Sequence, residues 1–214
     1  MCARTKAELD AAAREIRSKE ANARSVDAVA ADVSRPQDVR KLAGRISRWG
    51  KGLDVLINNA SLLGPLIPIA EYPIREWIRV ITVNLTGPFL VARALLPLMN
   101  RDGLIMNISS SVGRAGRARW GAYAVSKFGL EGLTQVLAEE VSQRGITVLS
   151  LNPGGTRTRM RSQAYPDEDP ARLRGPAETA EVLFSLAASP TRFPSGAILD
   201  IEDGVPVLSK QLKW

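Results

Sequence analysis

Residues 53–61 read LDVLINNAS, a mostly apolar run that ends in small polar residues. Such a run is typical of a parallel strand buried on both faces, because crossover helices cover both sides of that kind of sheet. Runs of similar character follow at Leu104–Ser109, Ile146–Asn152 and Ala197–Ile201. Segments rich in helix formers separate them. Strands that alternate with helices predict an α/β domain with a doubly wound parallel sheet and right-handed crossovers.

The rest of the chain supplies the helices and connections of one domain, residues 1–214, and no repeat or linker divides it. We predict helices over Thr5–Lys19, Ser34–Trp49, Pro73–Met99, Ala122–Arg144 and Pro176–Ala188, and a β-leaning run over Ser25–Val33. Thr5 and Ser34 are expected to cap their helices, and Gly87-Pro88 to bend the third helix. The polar segment Thr156–Gly175 is expected to be a mobile loop that closes over a substrate as a lid.

The composition excludes several kinds of protein. The chain has no histidine and one cysteine, Cys2, which excludes histidine triads, cysteine or histidine metal sites and an internal disulfide framework. No apolar run approaches the ~20 residues of a membrane span. The N-terminus has no apolar signal-peptide core, so we expect a cytoplasmic protein. The net charge of +7 favours anionic ligands. The arginines are spread along the chain, so we expect no nucleic-acid partner.

The residues directly after the predicted strands are small or polar. They are Asp32-Val33, Asn58–Ser61, Ser109–Ser111 and Asn152–Gly154. Ligands of doubly wound sheets bind at the carboxyl ends of the strands. We therefore predict a ligand site along this rim.

Tyr123 and Lys127 lie four residues apart in a predicted helix, so they share one face. An ammonium beside a phenol favours the ionised phenol, so we expect the pKa of Tyr123 to fall from its ordinary ~10. Such a tyrosine can give a proton to a developing alkoxide near neutral pH. Taken alone, the pair is more simply interpreted as a surface tyrosine beside a solvated lysine.

Two further polar residues stand where the predicted fold gives them a role. Ser110 follows a strand, 13 residues before Tyr123, and a hydroxyl there can hydrogen-bond a substrate oxygen. Asn84 lies inside a predicted helix, where asparagine is unfavourable, so we expect its side chain to hold a water or a backbone carbonyl. Taken singly, Ser110 is more simply a turn serine and Asn84 a residue of a solvated face.

Together these motifs resemble the short-chain dehydrogenase/reductase family. Asn58–Ser61 is similar to its NNAG segment, with Ser61 in place of glycine, and NPGGTRT (152–158) is similar to its PGxxxT loop. Asn84, Ser110, Tyr123 and Lys127 resemble its Asn-Ser-Tyr-Lys tetrad. The stretch SSSVGRAGRARWGAYAVSKF is closer still to the YciK-like oxidoreductase branch. The match covers nearly the whole chain and implies a Rossmann-like fold.

The resemblance implies an NAD(P)-dependent oxidoreductase that interconverts a small-molecule carbonyl compound and an alcohol, with the hydride chemistry supplied by the cofactor. Tyr123 would be the general acid and base, and Lys127 would lower its pKa and hold the nicotinamide ribose. Ser110 would orient the substrate carbonyl, and Asn84 would position a relay water. The implied cofactor-binding residues are Arg4, Asp32, Val33, Asn59, Ala60, Ser61, Tyr123, Lys127, Pro153, Gly154, Thr156 and Thr158.

Arg4 bears on the choice between the two nicotinamide cofactors. It is similar to the basic residue used by NADP-preferring members, since an arginine there can pair with the ribose 2′-phosphate. An NAD preference usually puts an acidic residue nearby. The resemblance therefore implies NADP(H) in preference to NAD(H), and a solvated Arg4 side chain is the equal alternative.

One part of the family pattern is missing from the sequence. The family begins with a strand and a TGxxxGxG turn that cradles the pyrophosphate, and this sequence has neither, so we expect an N-terminally incomplete sheet. The expected consequences are a gap between the family's third and fourth strands and weak or no dinucleotide binding. Three explanations are open: a start codon assigned too late, a short or inactive member acting as a non-catalytic binding or regulatory module, and direct pairing of the third strand with the fourth.

Two surface features bear on partners. Six arginines flank the predicted rim: Arg114, Arg117, Arg119, Arg157, Arg159 and Arg161. They either attract an anionic substrate or form a solvated basic surface, and Trp120 either walls the substrate pocket or packs elsewhere. The helices from Pro73 and from Ala122 carry apolar stripes. The resemblance implies that these helices form a homodimer or homotetramer; alternatively, the stripes meet only the protein's own sheet.

Overall fold

A computed structural model describes residues 1–19 and 26–209 of the chain. The described strands are β1 Cys2–Ala3, β2 Val29–Ala30, β3 Leu53–Asn58, β4 Met99–Ile108, β5 Thr147–Asn152, β6 Ile198–Glu202 and β7 Val205–Leu208. The α-helices are α1 Lys6–Lys19, α2 Pro36–Ser47, α3 Ile74–Ile81, α4 Gly87–Leu95, α5 Gly121–Glu140, α6 Arg159–Ala164 and α7 Pro176–Ala188. Ser25, the first residue of the predicted run Ser25–Val33, lies outside the described residues. Within the remainder of that run only β2 is a strand.

The main sheet has the order β3-β4-β5-β6-β7, and its first four strands are parallel. This confirms the predicted α/β doubly wound sheet. The last strand, β7, was not predicted and runs antiparallel to β6. A tight turn joins the two strands, with positive φ at both Asp203 (47°) and Gly204 (79°). An Asp-Gly pair between apolar runs is a hairpin signal that identifies this strand.

Both faces of the main sheet are covered, as doubly wound packing requires. On one face, Ile105 and Val148 pack in a cluster that includes residues of α2, α4 and α5. On the other face, Leu104 and Leu149 pack against Val182 and neighbouring residues of α7. Consecutive strand residues therefore point to opposite clusters, which explains why these strands are apolar throughout.

The predicted gap in the sheet is present. β1 and β2 pair with each other as a separate parallel sheet, and β2 does not pair with β3 in the part of the chain that the structure describes. Direct pairing of the family's third and fourth strands is therefore not what is observed. A cavity of about 350 Å³ is lined by residues of both sheets, and Ile57 of β3 is 42% exposed. Ile57, on β3 beside this gap, is thus an apolar side chain that the described residues leave partly exposed.

The predicted helix Pro73–Met99 is interrupted. A π-helical turn over Thr82–Thr86 separates α3 from α4, ahead of the bend expected at Gly87-Pro88. The strand β4 begins at Met99, five residues before the predicted start at Leu104. Wide π turns of this kind are frequent at functional sites, and this one contains Asn84.

The same region corrects the expectation about apolar runs. Residues Ile74–Leu98 form a 25-residue helical segment with a window of mean hydropathy 1.4, which is long and apolar enough to cross a membrane. Of that window, 44% is buried inside the molecule, where α3 packs on α5 and α4 packs on α2. Internal helices of globular domains meet the same criteria, so length and composition alone are a weak indication of a span.

The predicted loop Thr156–Gly175 is more ordered than expected. It contains α6, and its two ends are joined by a β-bridge between Thr156 and Arg174. The Arg157 backbone N–H also donates to the Arg174 carbonyl at 2.8 Å. The side-chain oxygen of Thr158 caps α6 by accepting from the Arg161 N–H. The segment therefore contains more secondary structure than a plain loop, while its mobility and its closure as a lid stay predictions.

Candidate functional site

Two adjoining cavities lie along the predicted rim. The main cavity, of about 720 Å³, is lined by residues that follow β3, β4 and β5. The N-terminal cavity, of about 350 Å³, lies between β1, β2 and β3. The two cavities share Ile57 and the segment Asn59–Ser61. All the residues proposed for the site except Asn84 line one cavity or both.

Ser110, Tyr123 and Lys127 meet in the main cavity. Ser110 follows the end of β4, and the other two lie in the first two turns of α5. The ammonium of Lys127 is 5.6 Å from the centroid of the Tyr123 ring. The side chains therefore share one side of the helix, and the simpler alternative of a solvated surface pair does not hold, since both residues are buried.

The Tyr123 phenol differs from the expectation in its pKa. Burial raises the pKa of Tyr123 above its ordinary value, and a hydrogen bond with Ser110 opposes this rise without cancelling it. The predicted fall through Lys127 is therefore wrong for the protein without ligands. Desolvation of a buried phenol disfavours its ionised form, so this phenol is a protonated donor across the neutral range.

Lys127 is held by the backbone at the end of β4. Its ammonium donates a hydrogen bond to the Ile108 carbonyl at 2.7 Å. Burial lowers the pKa of Lys127 to about 8, against the opposing effect of the Glu131 carboxylate. The ammonium is thus charged at pH 7 and begins to lose its proton just above neutrality.

A buried charge network surrounds Glu131, one helical turn beyond Lys127. Ser109 donates to its carboxylate at 2.8 Å, and the Nε atom of Arg114 lies 3.6 Å from it. Arg114 also donates twice to Asp200, at 2.9 and 2.6 Å. Burial raises the pKa of Glu131, which the Ser109 hydrogen bond and the Arg114 charge partly offset. The sequence analysis missed Glu131, although its i+4 spacing from Lys127 was a visible signal.

The same network corrects the role considered for Arg114. Its side chain is 17% exposed and ion-paired across the molecule to Asp200 of β6. Asn152, at the end of β5, also donates to Asp200 at 2.7 Å. Arg114 therefore connects Glu131 of α5 with Asp200 of β6. Since these carboxylates neutralise its charge, Arg114 is not available at the rim to bind an anionic ligand.

Asn84 lies outside both cavities. Its side chain binds the backbone of Leu62 twice, accepting from the N–H at 2.7 Å and donating to the carbonyl at 2.8 Å. It also donates to the Ser126 hydroxyl at 3.1 Å. The expectation that it holds a backbone carbonyl is confirmed. Asn84 lies between α5 and the segment after β3. Its hydrogen bonds therefore orient that segment, which forms part of the cavity wall.

We expect Asn84→Ala to lower the free energy of unfolding by about 2–4 kcal/mol, because the partly buried Leu62 N–H and carbonyl and the buried Ser126 hydroxyl lose a partner. Asn100→Ala is the matched control, since its hydrogen bonds to Lys51 and Asp54 are exposed. That control should cost less than about 1 kcal/mol. Urea denaturation measures both values, and equal losses would contradict the structural role of Asn84.

Arg4, Asp32 and Val33 line the N-terminal cavity together with Asn59–Ser61. The Asp32 carboxylate accepts from the Ser34 N–H at 2.9 Å and from its hydroxyl at 2.6 Å. The expectation that Ser34 caps α2 is therefore wrong. Arg35 occupies that position without a side-chain hydrogen bond.

Pro153, Gly154, Thr156 and Thr158 line the main cavity. Gly154 adopts φ +69°, a backbone conformation that favours glycine. The Ser61 hydroxyl, at the junction of the cavities, is buried without a hydrogen-bond partner among the described residues. Adjoining cavities with a free hydroxyl at the junction and Arg4 in the lining of the N-terminal cavity fit an elongated dinucleotide. The sequence supplies no glycine-rich turn for its diphosphate.

An aromatic wall closes one side of the main cavity. The Trp120 ring lies 5.8 Å from the rings of both Tyr123 and Tyr165, centroid to centroid. Trp120 therefore lines the main cavity and also packs against the core cluster that contains Tyr123, so the two interpretations of this residue do not exclude each other. Tyr165, in the segment after α6, was not predicted as a site residue.

The chain is similar in sequence to known proteins. Residues 1–169 match the family model described as short chain dehydrogenase. The chain is 43% identical over 170 residues to the uncharacterized oxidoreductase YciK of Escherichia coli K12, covering 78% of this chain and 67% of that protein. It is 34% identical over 150 residues to D-beta-hydroxybutyrate dehydrogenase of Rhizobium meliloti, covering 69% of this chain and 57% of that protein.

A solved structure is also similar. It is a short chain dehydrogenase from Escherichia coli CFT073 complexed with NADPH, with a TM-score of 0.82 and 37% identity. The similarity covers 93% of this chain and 83% of that one.

Proposed function

The chain belongs to the short chain dehydrogenase family, and we propose that it is an NADP(H)-linked oxidoreductase that interconverts a carbonyl compound and an alcohol. The observation that carries the proposal is the meeting of Ser110, Tyr123 and Lys127 on one side of the main cavity. Since the chain spans 67% and 57% of the two relatives' lengths, the activity of those whole proteins is carried over here only as a proposal.

The three side chains divide the work on a substrate oxygen. Ser110 and Tyr123 donate hydrogen bonds to the carbonyl, and Tyr123 then gives its proton to the developing alkoxide. Lys127 stabilises the negative charge that the phenol acquires as its proton leaves. Asn84 acts as a positioning residue through Leu62 and Ser126. The cofactor, when bound, supplies or accepts the hydride.

NADP(H) is the cofactor that we propose in preference to NAD(H). Arg4 lines the N-terminal cavity, where an adenosine ribose would lie, and its guanidinium suits a 2′-phosphate. The similar solved structure is complexed with NADPH. The residues proposed to hold the cofactor are those of the two cavities: Arg4, Asp32, Val33, Asn59, Ala60, Ser61, Tyr123, Lys127, Pro153, Gly154, Thr156 and Thr158.

The test is a panel of aldehydes, ketones and alcohols assayed with the 214-residue chain at millimolar NADPH or NADP⁺, following absorbance at 340 nm. NADPH binding is titrated in parallel by fluorescence. We expect turnover with NADPH to exceed that with NADH by at least tenfold, with a dissociation constant weaker than micromolar because the glycine-rich turn is missing. Binding without turnover of any compound would favour the non-catalytic module, and micromolar affinity would overturn the expectation of weak binding.

A homo-oligomer is part of the proposal. Ile78 of α3, Phe89 of α4 and Phe128 of α5 are 57%, 45% and 39% exposed. Val91 and Leu95 of α4 and Leu130 and Leu137 of α5 are instead buried. One side of these helices therefore meets the protein's own core and the other remains available for a second copy. A cytoplasmic location stays a prediction.

A further inference from the structure

A smaller cavity opens beside the reacting hydroxyls. It has a volume of about 250 Å³ and shares six lining residues with the main cavity: Ser110, Trp120, Asn152, Gly154, Arg161 and Tyr165. The segment Asn59–Ser61, which joins the main cavity to the N-terminal one, does not line it. We call it the side cavity. None of the described residues that line the N-terminal cavity lines the side cavity, whereas Gly154, one of the residues proposed to hold the cofactor, does.

All the charged residues that line the side and main cavities are cationic. They are Arg117, Arg161 and Lys127, and among the described lining residues there is no aspartate or glutamate. A concave site with charges of one sign concentrates ligands of the opposite sign. The potential in this cleft therefore favours an anionic group.

Arg161 has its charge already matched. Its guanidinium donates twice to Glu168, both at 2.6 Å, and stacks 3.9 Å from the centroid of the Tyr165 ring. It therefore fixes the Tyr165 wall and adds little net charge to the site. Any unmatched charge in the side cavity has to come from another residue.

Arg117 is that residue. One of its nitrogens donates to the Tyr165 hydroxyl at 3.0 Å, which directs the guanidinium to the cavity. No carboxylate among the described residues pairs with it, and its other N–H groups keep their hydrogen-bonding capacity. The planar guanidinium matches a carboxylate in a two-pronged hydrogen-bonded pair.

The aromatic wall sets the distance between the two ends of a substrate. The ring centroids of Tyr123, Trp120 and Tyr165 follow one another 5.8 Å apart. The hydroxyl of Tyr165 accepts a hydrogen bond from Arg117. A carbonyl at Ser110 and Tyr123 is thus separated from Arg117 by the width of these rings. We propose that the substrate is an aldehyde or ketone that carries a carboxylate several bonds from its carbonyl, on a flat apolar body, with the carboxylate bound by Arg117. This inference rests on the proposed function.

The test compares 4-acetylbenzoate with its methyl ester, which has the same carbonyl and ring and lacks the charge. Turnover with NADPH gives kcat/KM for each compound, and ligand-observed NMR gives each dissociation constant without turnover. We expect the acid to exceed the ester at least tenfold by both measures. Arg117→Met should bring this ratio to about one, mainly through KM. Arg159→Met removes an arginine that is exposed like Arg117 but lines neither cavity, so it should keep the parent's ratio. Raising the salt concentration should also lower the ratio.

The outcomes separate this inference from the proposed function. Equal binding and turnover of acid and ester, or an unchanged ratio in Arg117→Met, would overturn the carboxylate site while the oxidoreductase function stands. Preferential binding of the acid that depends on Arg117, with no turnover of either compound, would keep the carboxylate site and contradict the oxidoreductase function for this substrate.

Discussion

Tyr123→Phe is expected to reduce kcat for carbonyl reduction by about 10³-fold, since a positioned general acid contributes about 10²–10⁴ to the rate. The change removes only the hydroxyl oxygen, and the ring keeps its contacts with Trp120 and the core beside α5. Removal of one hydroxyl costs no more than about 1 kcal/mol of stability. Activity should therefore collapse while the circular dichroism spectrum and the fold are retained.

A matched variant separates chemistry from packing. Tyr72 also has a buried hydroxyl in the cluster that contains Tyr123, but it lines neither the main nor the N-terminal cavity. Tyr72→Phe should keep a rate within about threefold of the parent, because this residue lines neither cavity and its hydroxyl takes no part in the proposed reaction. A Tyr123→Phe protein that retained the parent's rate would remove Tyr123 from the reaction and with it the proposed mechanism.

The strands of the main sheet were predictable because their signal is local. Apolar runs such as LDVLIN (53–58) and ITVLSLN (146–152) are buried by helices on both faces, so each run carries its own evidence of burial. The π-helical turn around Asn84 left no comparable signal. Its wide geometry places the Asn84 side chain on the Leu62 backbone, a contact across 22 residues that no local pattern contains.

The site residues were predictable as types and positions, and their electrostatics were not. Spacing places Tyr123 and Lys127 on one helical face, and the structure agrees. The pKa of Tyr123 depends instead on how deeply the phenol is buried, which helix spacing does not contain. Likewise, the partners of Glu131 come from Ser109 and Arg114, which only the tertiary fold brings to α5.

Lys127→Met should reduce kcat by at least about 10²-fold, because the ammonium that stabilises the ionised phenol is lost. Each unit by which that ammonium lowers the pKa of the phenol corresponds to about 1.4 kcal/mol. Methionine is similar in length and apolar, so packing is largely kept. Although kcat falls, the free energy of unfolding at pH 7 should not decrease. Folding buries an ammonium whose pKa drops from 10.5 to about 8, a cost of about 3 kcal/mol that methionine avoids. Lys51→Met, at an exposed site, is the control and should change neither quantity.

The pH dependence follows from the same group. The reaction needs the protonated ammonium, so kcat of the parent should hold up to neutrality and fall as pH rises through about 8. Stability should move the other way: the unfolded chain binds this proton more tightly, so the Lys127 contribution to the unfolding free energy rises with pH between about 8 and 10.5. Both trends should be absent in Lys127→Met, and an unchanged alkaline fall in kcat would assign that fall to another group.

Glu131→Gln tests whether the Glu131 carboxylate controls the pKa of Lys127. The charged and titratable groups around this pair are Tyr123, Lys127 and Glu131 on α5, Arg114 after β4 and Asp200 on β6. The Glu131 carboxylate raises the pKa of Lys127 against burial, so its neutral isostere should move the alkaline fall in kcat to lower pH. Glu139→Gln makes the same change on an exposed face of α5 and should leave the profile in place. The titration of ¹³C-labelled lysine side chains by NMR reads the same shift without turnover. A Glu131→Gln protein that unfolds more easily but keeps the parent's Lys127 titration would limit Glu131 to a structural role.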